Sequence, residues 1–189
     1  MSDKKICFIH YGIGWKDGVN TVINNFASQI KKQRPDLGVC FLGGQIKDKV
    51  ISGASYFEIP ELLPRKRQES SRGIVQKKAE LIAKKISKKT KGIKVIVIEN
   101  PLMGDYHLPA MIGFFIYAKK YKPRDTKLFL RVHDLYLDNH RYTDGFMKLF
   151  SQKEIKNIFR GEGVDGFLII NRNLKKRLML LGIDSKKIF

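Results

Sequence analysis

The sequence has few cysteines and no long hydrophobic run. Cys7 and Cys40 each sit in an apolar stretch without a Cys-x-x-Cys spacing, which predicts buried free thiols rather than a disulfide framework. No apolar run approaches the roughly 20 residues that span a bilayer. The first residues pass directly from charged side chains into a short apolar strand. This beginning predicts no secretory signal and a cytoplasmic location.

The sequence also lacks the two familiar glycine motifs that bind nucleotides. The stretch HYGIGWKDGVNTV carries Gly12, Gly14 and Gly18, but Asp17 stands where the third glycine of a dinucleotide-binding turn belongs. No Lys-Ser or Lys-Thr pair of a phosphate-binding loop follows. We therefore do not expect this turn to bind a nucleotide by itself. Its last glycine should open a helix, whose free backbone N–H groups can meet an anion.

Acidic residues are scarce as well. The net charge of +19 comes from 37 basic and 18 acidic residues and suggests an anionic partner. The basic residues are concentrated between positions 60 and 94. The candidate surface residues there are Arg65, Lys66, Arg67, Lys77, Lys78, Lys84 and Lys85. Two interpretations remain open, a solvated helix face or a patch for the phosphates of lipid or nucleic acid.

Six apolar runs of strand length recur along the chain, and amphipathic helical patterns separate most of them. The runs are Ile6–His10, Val39–Leu42, Tyr56–Ile59, Val95–Ile98, Leu128–Val132 and Phe167–Ile170. They are continuous rather than alternating, as in strands covered on both faces. The order predicts one α/β domain over residues 1–189, with a Rossmann-like, mainly parallel sheet and helices on both faces. The segment from Pro60 to Arg72 is interpreted as a mobile surface loop.

In such folds ligands bind beyond the carboxyl ends of the strands. His133 and Asp134 follow the fifth run, and an imidazole there can accept or orient a hydroxyl proton. The alternatives are a His held by the backbone for structural reasons, or a metal site. A metal site would consist of His133, Asp134, Asp138 and His140, but their spacing matches no established one. We therefore expect no metal.

Other side chains near the strand ends suit a sugar or polyol. Asn100 and Tyr106 follow the fourth run, together with Asp105, which is alternatively a helix N-cap. Trp15 either packs against its own loop or forms a platform for a sugar ring. Asn171 after the sixth run faces the cleft or caps a helix.

Three separated motifs resemble the N-terminal, acceptor-side domain of a GT-B glycosyltransferase of the large retaining family four. DGVNTVINNFASQI resembles the family's glycine-glycine-valine turn and helix, with Gly18 as the second glycine and Asp17 in place of the first. LRVHD at 130–134 resembles its His-Asp pair after a strand. VDGFLIINRNLKKRLMLLGIDSKKIF resembles its strand, leucine-rich helix and crossing to the second domain. The resemblance covers essentially the whole chain.

The resemblance implies one half of a two-domain enzyme that passes a hexosyl group from a nucleoside-diphosphate sugar to an acceptor hydroxyl. It implies a C-terminal donor-binding domain as partner, the nucleotide sugar as co-substrate, no other cofactor and no obligatory metal. Peripheral contact with an anionic membrane fits the basic stretch. The residue roles are diphosphate-facing Gly14, Gly18 and Asn20; catalytic His133 and Asp134; and acceptor-binding Trp15, Asn100, Tyr106 and Arg131. A basic module that binds nucleic acid and half of a sugar-nucleotide epimerase are the rival interpretations.

Overall fold

The computed structural model describes residues 5–49, 51–64, 71–135 and 144–189. Its strands are β1 Lys5–Ile13, β2 Gly38–Ile46, β3 Ser55–Glu58, β4 Val95–Glu99, β5 Lys127–Val132 and β6 Gly166–Ile169. Its α-helices are α1 Gly18–Gln33, α2 Arg72–Lys89, α3 Leu108–Ile116, α4 Asp144–Leu149, α5 Gln152–Phe159 and α6 Arg172–Leu180. Arg65, Lys66 and Arg67, and the alternative metal ligands Asp138 and His140, lie outside the described residues.

The six strands form one parallel sheet in the order β3-β2-β1-β4-β5-β6. This confirms the predicted Rossmann-like α/β fold. The strand order reverses between β1 and β4, where the first half of the chain winds to one side and the second half to the other. At such a reversal the connections diverge and leave a crevice beyond the carboxyl ends of the two strands.

Hydrophobic side chains fill both faces of the sheet. The larger core layer lies under α2, α3, α5 and α6, and the smaller layer lies under α1, where Ile23 and Ala27 are fully buried. Cys7 and Cys40 are adjacent on β1 and β2 and are buried free thiols, as predicted. Among the described residues no helix is long and apolar enough to cross a membrane.

The first strand is longer than its sequence indicates. The prediction ended it at His10, but pairing with β2 continues through Gly12 opposite Gln45 and Ile13 opposite Ile46. A side chain at Gly12 would collide with the ring of Trp15, since a Cβ there would lie 2.1 Å from that ring. Gly12 therefore lets the strand continue beneath the folded-back loop, and the turn itself begins at Gly14.

The segment after β3 begins as packed structure rather than as the predicted mobile loop. Pro60–Leu62 forms a 3₁₀ turn, and Leu62 is fully buried. Gly44 on β2 makes the close approach possible, because a Cβ there would lie 2.4 Å from the backbone nitrogen of Leu63. Ser71 then caps α2, its side chain accepting a hydrogen bond from the Ile74 N–H.

The observed helices differ from the predicted ones in two places. The apolar pattern from Leu108 to Tyr121 predicts one helix, but α3 ends at Ile116 and a single π-helical turn covers Tyr117–Tyr121. The buried hydroxyl of Tyr117, 3.1 Å from that of Thr90, holds this turn. The short helix α4 was not predicted. Gly182, with a φ of 90°, follows the end of α6, where a glycine in the left-handed conformation commonly ends a helix.

Candidate active site

The loop between β1 and α1 ends in a capped helix start. Asp17 is the N-cap of α1, and its carboxylate accepts a hydrogen bond of 2.7 Å from the Asn20 N–H. Gly18 is the first helical residue, as predicted. No described residue accepts a hydrogen bond from the N–H of Gly18 or Val19. Two donors at the positive end of the helix therefore remain open to an anion.

Asn20 was predicted to face a diphosphate, but the structure places its side chain inside the loop. It is 1% exposed. Its Oδ1 accepts from the Gly14 N–H at 2.9 Å, and its Nδ2 donates to the Gly12 carbonyl at 3.1 Å and to the Asp17 carboxylate. All its polar groups are occupied within the loop, so Asn20 shapes the pocket without lining it.

Trp15 folds back over Gly12 and packs against its own loop, which was one of the two interpretations. Its indole nitrogen is buried and has no hydrogen-bond partner among the described residues. The Nζ of Lys47 lies 5.6 Å from the ring centroid, within the range of a cation–π contact. The exposed part of the indole still lines the adjoining pocket, so packing and a platform role are compatible here.

An open pocket of about 590 Å³ lies in front of the helix start. Its lining residues are Gly14, Trp15, Lys16, Asp17, Gly18, Thr21, Asn24 and Asp48. Lys47 borders the neighbouring space. Two lysines and two aspartates thus surround this entrance, together with Gly18 at the start of α1. Such a pocket suits a polar ligand with anionic oxygens.

Beyond β4, Asn100 joins the ends of β4 and β5. It is the only described non-glycine residue with a positive φ, of 48°. Its Oδ1 accepts from the N–H groups of His133 and Asp134 at 3.3 and 3.1 Å, and its Nδ2 donates to the Asp134 carboxylate at 3.2 Å. Asn100 was predicted to bind the acceptor. At 5% exposure it instead fixes the turn that carries His133.

Glu99, the last residue of β4, forms the centre of a buried polar cluster. Its carboxylate Oε2 lies 3.2 Å from His133 Nε2, and Oε1 lies 3.1 Å from Nη1 of Arg131. This carboxylate is fully buried. The contact with Arg131 is an ion pair without hydrogen-bond alignment, because neither Oε1 nor Nη1 has a hydrogen-bond partner among the described residues.

Arg131 was predicted to bind the acceptor, but its side chain is only 5% exposed. Its guanidinium carbon lies 4.0 Å from the ring centroid of Phe26 on α1. Burial lowers the pKa of Arg131, and the charge of Glu99 opposes that shift. Phe26 shares the three-four spacing of Ile23 and Ile30 on the amphipathic helix, yet it is 51% exposed and covers the guanidinium of Arg131. The positive charge of Arg131 therefore compensates the buried negative charge of Glu99.

His10 on β1 is hydrogen-bonded to this cluster. Its ring Nδ1 lies 3.1 Å from the Glu99 carbonyl, across the reversal between β1 and β4. Burial lowers the pKa of His10 to about 4, while the charge of Asp17 raises it and that of His133 lowers it. The ring is therefore neutral near pH 7 and donates its Nδ1–H to the carbonyl.

The remaining predicted residues each have their own local surroundings. Asp134 is exposed beside His133. Tyr106 packs edge-on against Tyr11, with ring centroids 5.5 Å apart. His107, not Asp105, is the N-cap of α3, and Asn171 caps α6, its Oδ1 accepting from the Leu174 N–H.

Sequence reasoning missed Glu99 and His10. The available signal was a titratable side chain closing each of two apolar runs, at Glu99 and at His10.

The predicted basic residues of α2 differ in their exposure. Lys77 and Lys84 are exposed, and two exposed apolar side chains, Ile74 and Leu81, lie among them. Lys85 pairs with Glu61. Lys78 is half-buried.

No family model matches this sequence, and no curated protein matches it. Among solved structures, the chain is similar to the apo form of the lipopolysaccharide outer core galactosyltransferase WaaB, with a TM-score of 0.54 and 16% identity. The match covers 98% of this chain and 44% of that enzyme. A second similar structure is an alpha-glucosyltransferase in complex with UDP-glucose and DNA containing an abasic site, with a TM-score of 0.49, 12% identity, and coverage of 93% and 39%. At these identities the likeness concerns the fold.

The chain therefore spans less than half the length of the galactosyltransferase that it resembles.

Proposed function

We propose that this chain is the acceptor-side domain of a retaining GT-B glycosyltransferase. The complete enzyme would transfer a hexosyl group from a nucleoside-diphosphate sugar to an acceptor hydroxyl. The observation that carries the proposal is the meeting of two features at the sheet reversal. Gly18, whose N–H has no acceptor among the described residues, lines a pocket at the start of α1. The Glu99–His133 pair lies at the ends of β4 and β5, and His10 of β1 is hydrogen-bonded to the Glu99 carbonyl. The likeness in fold to a galactosyltransferase supports the same reaction class.

In the proposed reaction, the leaving diphosphate lies against the start of α1. Its negative charge grows as the bond to the sugar breaks, and the N–H groups of Gly18 and Val19 stabilise that charge without reorganising. Gly14 lines the pocket. Its φ of 75° and the nearby backbone of Asp48 leave no room for a side chain at this position. Asp17 brings a carboxylate to the same entrance. Lys16 and Lys47 offset it.

On the acceptor side, His133 contacts the reacting hydroxyl or sugar, and Asp134 flanks it. Trp15 and Tyr106 form walls of the acceptor site in this proposal. A C-terminal donor-binding domain, in the same or another chain, would hold the nucleotide and close over the cleft to exclude water. Without that domain the chain would not transfer sugar.

The test is transfer by the chain together with a donor-binding domain, assayed against a panel of nucleotide sugars and acceptors. Release of nucleoside diphosphate that requires both the second domain and the acceptor supports the proposal. Release by the chain alone contradicts the dependence on a second domain, and release without acceptor favours an epimerase or hydrolase. The anomeric configuration of the product, read by NMR, tests retention. Activity that survives chelation of divalent cations agrees with the absence of an obligatory metal.

The α2 surface supports a further part of the proposal, peripheral contact with an anionic membrane. Lys77 and Lys84 supply charge, while Ile74 and Leu81 expose 43% and 44% of their surface beside them. Apolar side chains between lysines suit the boundary of lipid headgroups and acyl chains. A nucleic-acid backbone offers these two residues no comparable partner, which is why we rank that interpretation second.

Co-sedimentation with vesicles of anionic and zwitterionic lipid tests this contact. Binding should require the anionic lipid and weaken when Lys77→Glu and Lys84→Glu are combined. The charge-matched control combines Lys175→Glu and Lys176→Glu, exposed residues on α6, and should bind as the wild type does. Equal loss in both double variants would indicate attraction by net charge alone. Binding to RNA but not to vesicles would contradict the membrane interpretation.

A further inference from the structure

A buried carboxylate stands behind the ring of His133. Glu99 is 0% exposed, and its Oε2 lies 3.2 Å from His133 Nε2, while the imidazole side chain is itself only 9% exposed. An ionised carboxylate can accept hydrogen bonds but cannot donate one. The proton of this contact therefore belongs to the ring, on Nε2.

The cluster holds Glu99 in place from several sides. Its Oε1 faces Arg131 at 3.1 Å, and its backbone carbonyl receives the hydrogen bond from His10. Phe26 covers the guanidinium of Arg131. The carboxylate thus has a compensating charge and little freedom to turn away from His133.

The main chain of His133 is fixed independently. Asn100 accepts hydrogen bonds from the N–H groups of His133 and Asp134 through one side-chain oxygen. The backbone is held by Asn100 and the ring by Glu99, so the orientation of the imidazole is determined at both ends. No described residue forms a hydrogen bond with His133 Nδ1, which leaves this atom as the ring's remaining polar group.

We propose that Glu99 is a positioning residue that orients His133 and fixes its tautomer with the proton on Nε2. His133 then presents Nδ1 as a hydrogen-bond acceptor for a hydroxyl group. The role toward an acceptor hydroxyl rests on the proposed function, whereas the tautomer does not. Glu99 itself does not touch the substrate in this arrangement. Three charged or titratable groups lie around the pair: Arg131 on β5 pairs with Glu99, His10 on β1 donates to the Glu99 carbonyl, and Asp134 follows His133 and accepts from Asn100.

The decisive measurement is NMR of the chain labelled with ¹⁵N-histidine, at a pH where the imidazoles are neutral. The signals of His133 are assigned by their loss in His133→Asn. We expect a pyrrole-type signal for Nε2 and a pyridine-type signal for Nδ1. A ring protonated mainly on Nδ1 would overturn the proposal.

The variant Glu99→Gln tests whether Glu99 sets this state. A glutamine amide can either accept from Nε2–H or donate to Nε2, so the two tautomers should become mixed. The control Asp134→Asn removes the neighbouring exposed carboxylate, which does not touch the ring nitrogen, and should leave one tautomer. An unchanged single tautomer in Glu99→Gln would overturn the positioning role.

Two further experiments separate the positioning role from misfolding of the variant and from failure of the proposed function. If Glu99→Gln does not fold, the double variant Glu99→Gln with Arg131→Met removes both members of the ion pair and should show the same mixed tautomers. In the active complex, Glu99→Asp should recover part of the kcat lost in Glu99→Gln while KM for the donor changes little. A wild-type chain that has the Nε2–H tautomer but shows no transfer even with the donor-binding domain present would refute the function and leave the positioning role intact.

Discussion

The side-chain oxygen of Asn20 accepts a hydrogen bond of 2.9 Å from the backbone N–H of Gly14, and through this contact the first turn of α1 holds the beginning of the preceding loop. The same side chain donates to the Gly12 carbonyl and to Asp17. The pocket entrance and the helix start are therefore one rigid unit. The N–H of Gly14 is occupied by this contact, whereas the N–H groups of Gly18 and Val19 have no acceptor among the described residues.

Asn20→Ala should destabilise the fold. It removes a buried acceptor and a buried donor and leaves the Gly14 N–H and Gly12 carbonyl without these partners, which costs about 1–3 kcal/mol. Urea unfolding followed by circular dichroism measures the loss. The control Asn25→Ala, at an exposed position of the same helix, should change the free energy of unfolding little. Similar small changes in both variants would show that the side-chain hydrogen bonds of Asn20 contribute nothing to stability.

Arg131→Met should destabilise the fold more strongly. It leaves the carboxylate of Glu99 buried without its counter-charge, and breaking a buried ion pair in this way costs about 3–5 kcal/mol. Adding Glu99→Gln removes the uncompensated charge, so the double variant should be more stable than Arg131→Met alone. Lys94→Met, which breaks the exposed pair with Asp125, is the control and should have a small effect. A double variant less stable than Arg131→Met would rule out charge compensation.

The stability of the chain should fall in mildly acidic solution because of His10. Burial lowers its pKa to about 4 in the folded chain, whereas an exposed histidine titrates near about 6.5. Between these values the unfolded chain binds a proton that the folded chain does not. The free energy of unfolding should therefore be constant above the upper value and decrease as the pH falls toward the lower one, by about 3 kcal/mol at most.

Urea unfolding at a series of pH values checks this dependence. His10→Gln keeps a side-chain donor for the Glu99 carbonyl but cannot titrate, so its stability should depend less on pH in this window. An identical pH profile for wild type and variant would assign the acid sensitivity to other groups.

The sequence alone was sufficient for the sheet and for two of the site's positions. Continuous apolar runs located all six strands, since a parallel sheet covered on both faces requires them. Gly18 as the helix start and His133 at the end of β5 followed from the same pattern. These features depend on local spacing, which a single sequence displays directly.

The buried cluster could not be predicted in the same way. A carboxylate that closes an apolar run, such as Glu99, looks the same in sequence whether it faces solvent or a partner. Its partner Arg131 becomes its neighbour only because β4 and β5 pair, with these two residues in register. Phe26 follows the helical spacing of core residues, but it lies over the charged end of the sheet. Asn20 appeared to face the ligand because its contacts within the loop depend on Gly12 belonging to β1.

The central claim, that the leaving diphosphate is held by the start of α1, is tested most directly by Gly18→Pro against Gly18→Ala. Proline suits the first helical position, and the extended conformation of Asp17, with φ −142° and ψ 168°, is compatible with a following proline. Gly18→Pro thus deletes one N–H and preserves the helix. Gly18→Ala keeps the N–H and places its added Cβ in open space. The measurement is kcat/KM for acceptor-dependent release of nucleoside diphosphate, with the donor-binding domain present. We predict near-normal activity for Gly18→Ala and a fall of about 100-fold for Gly18→Pro, as for loss of one oxyanion donor. Equal activity in the two folded variants would contradict the claim.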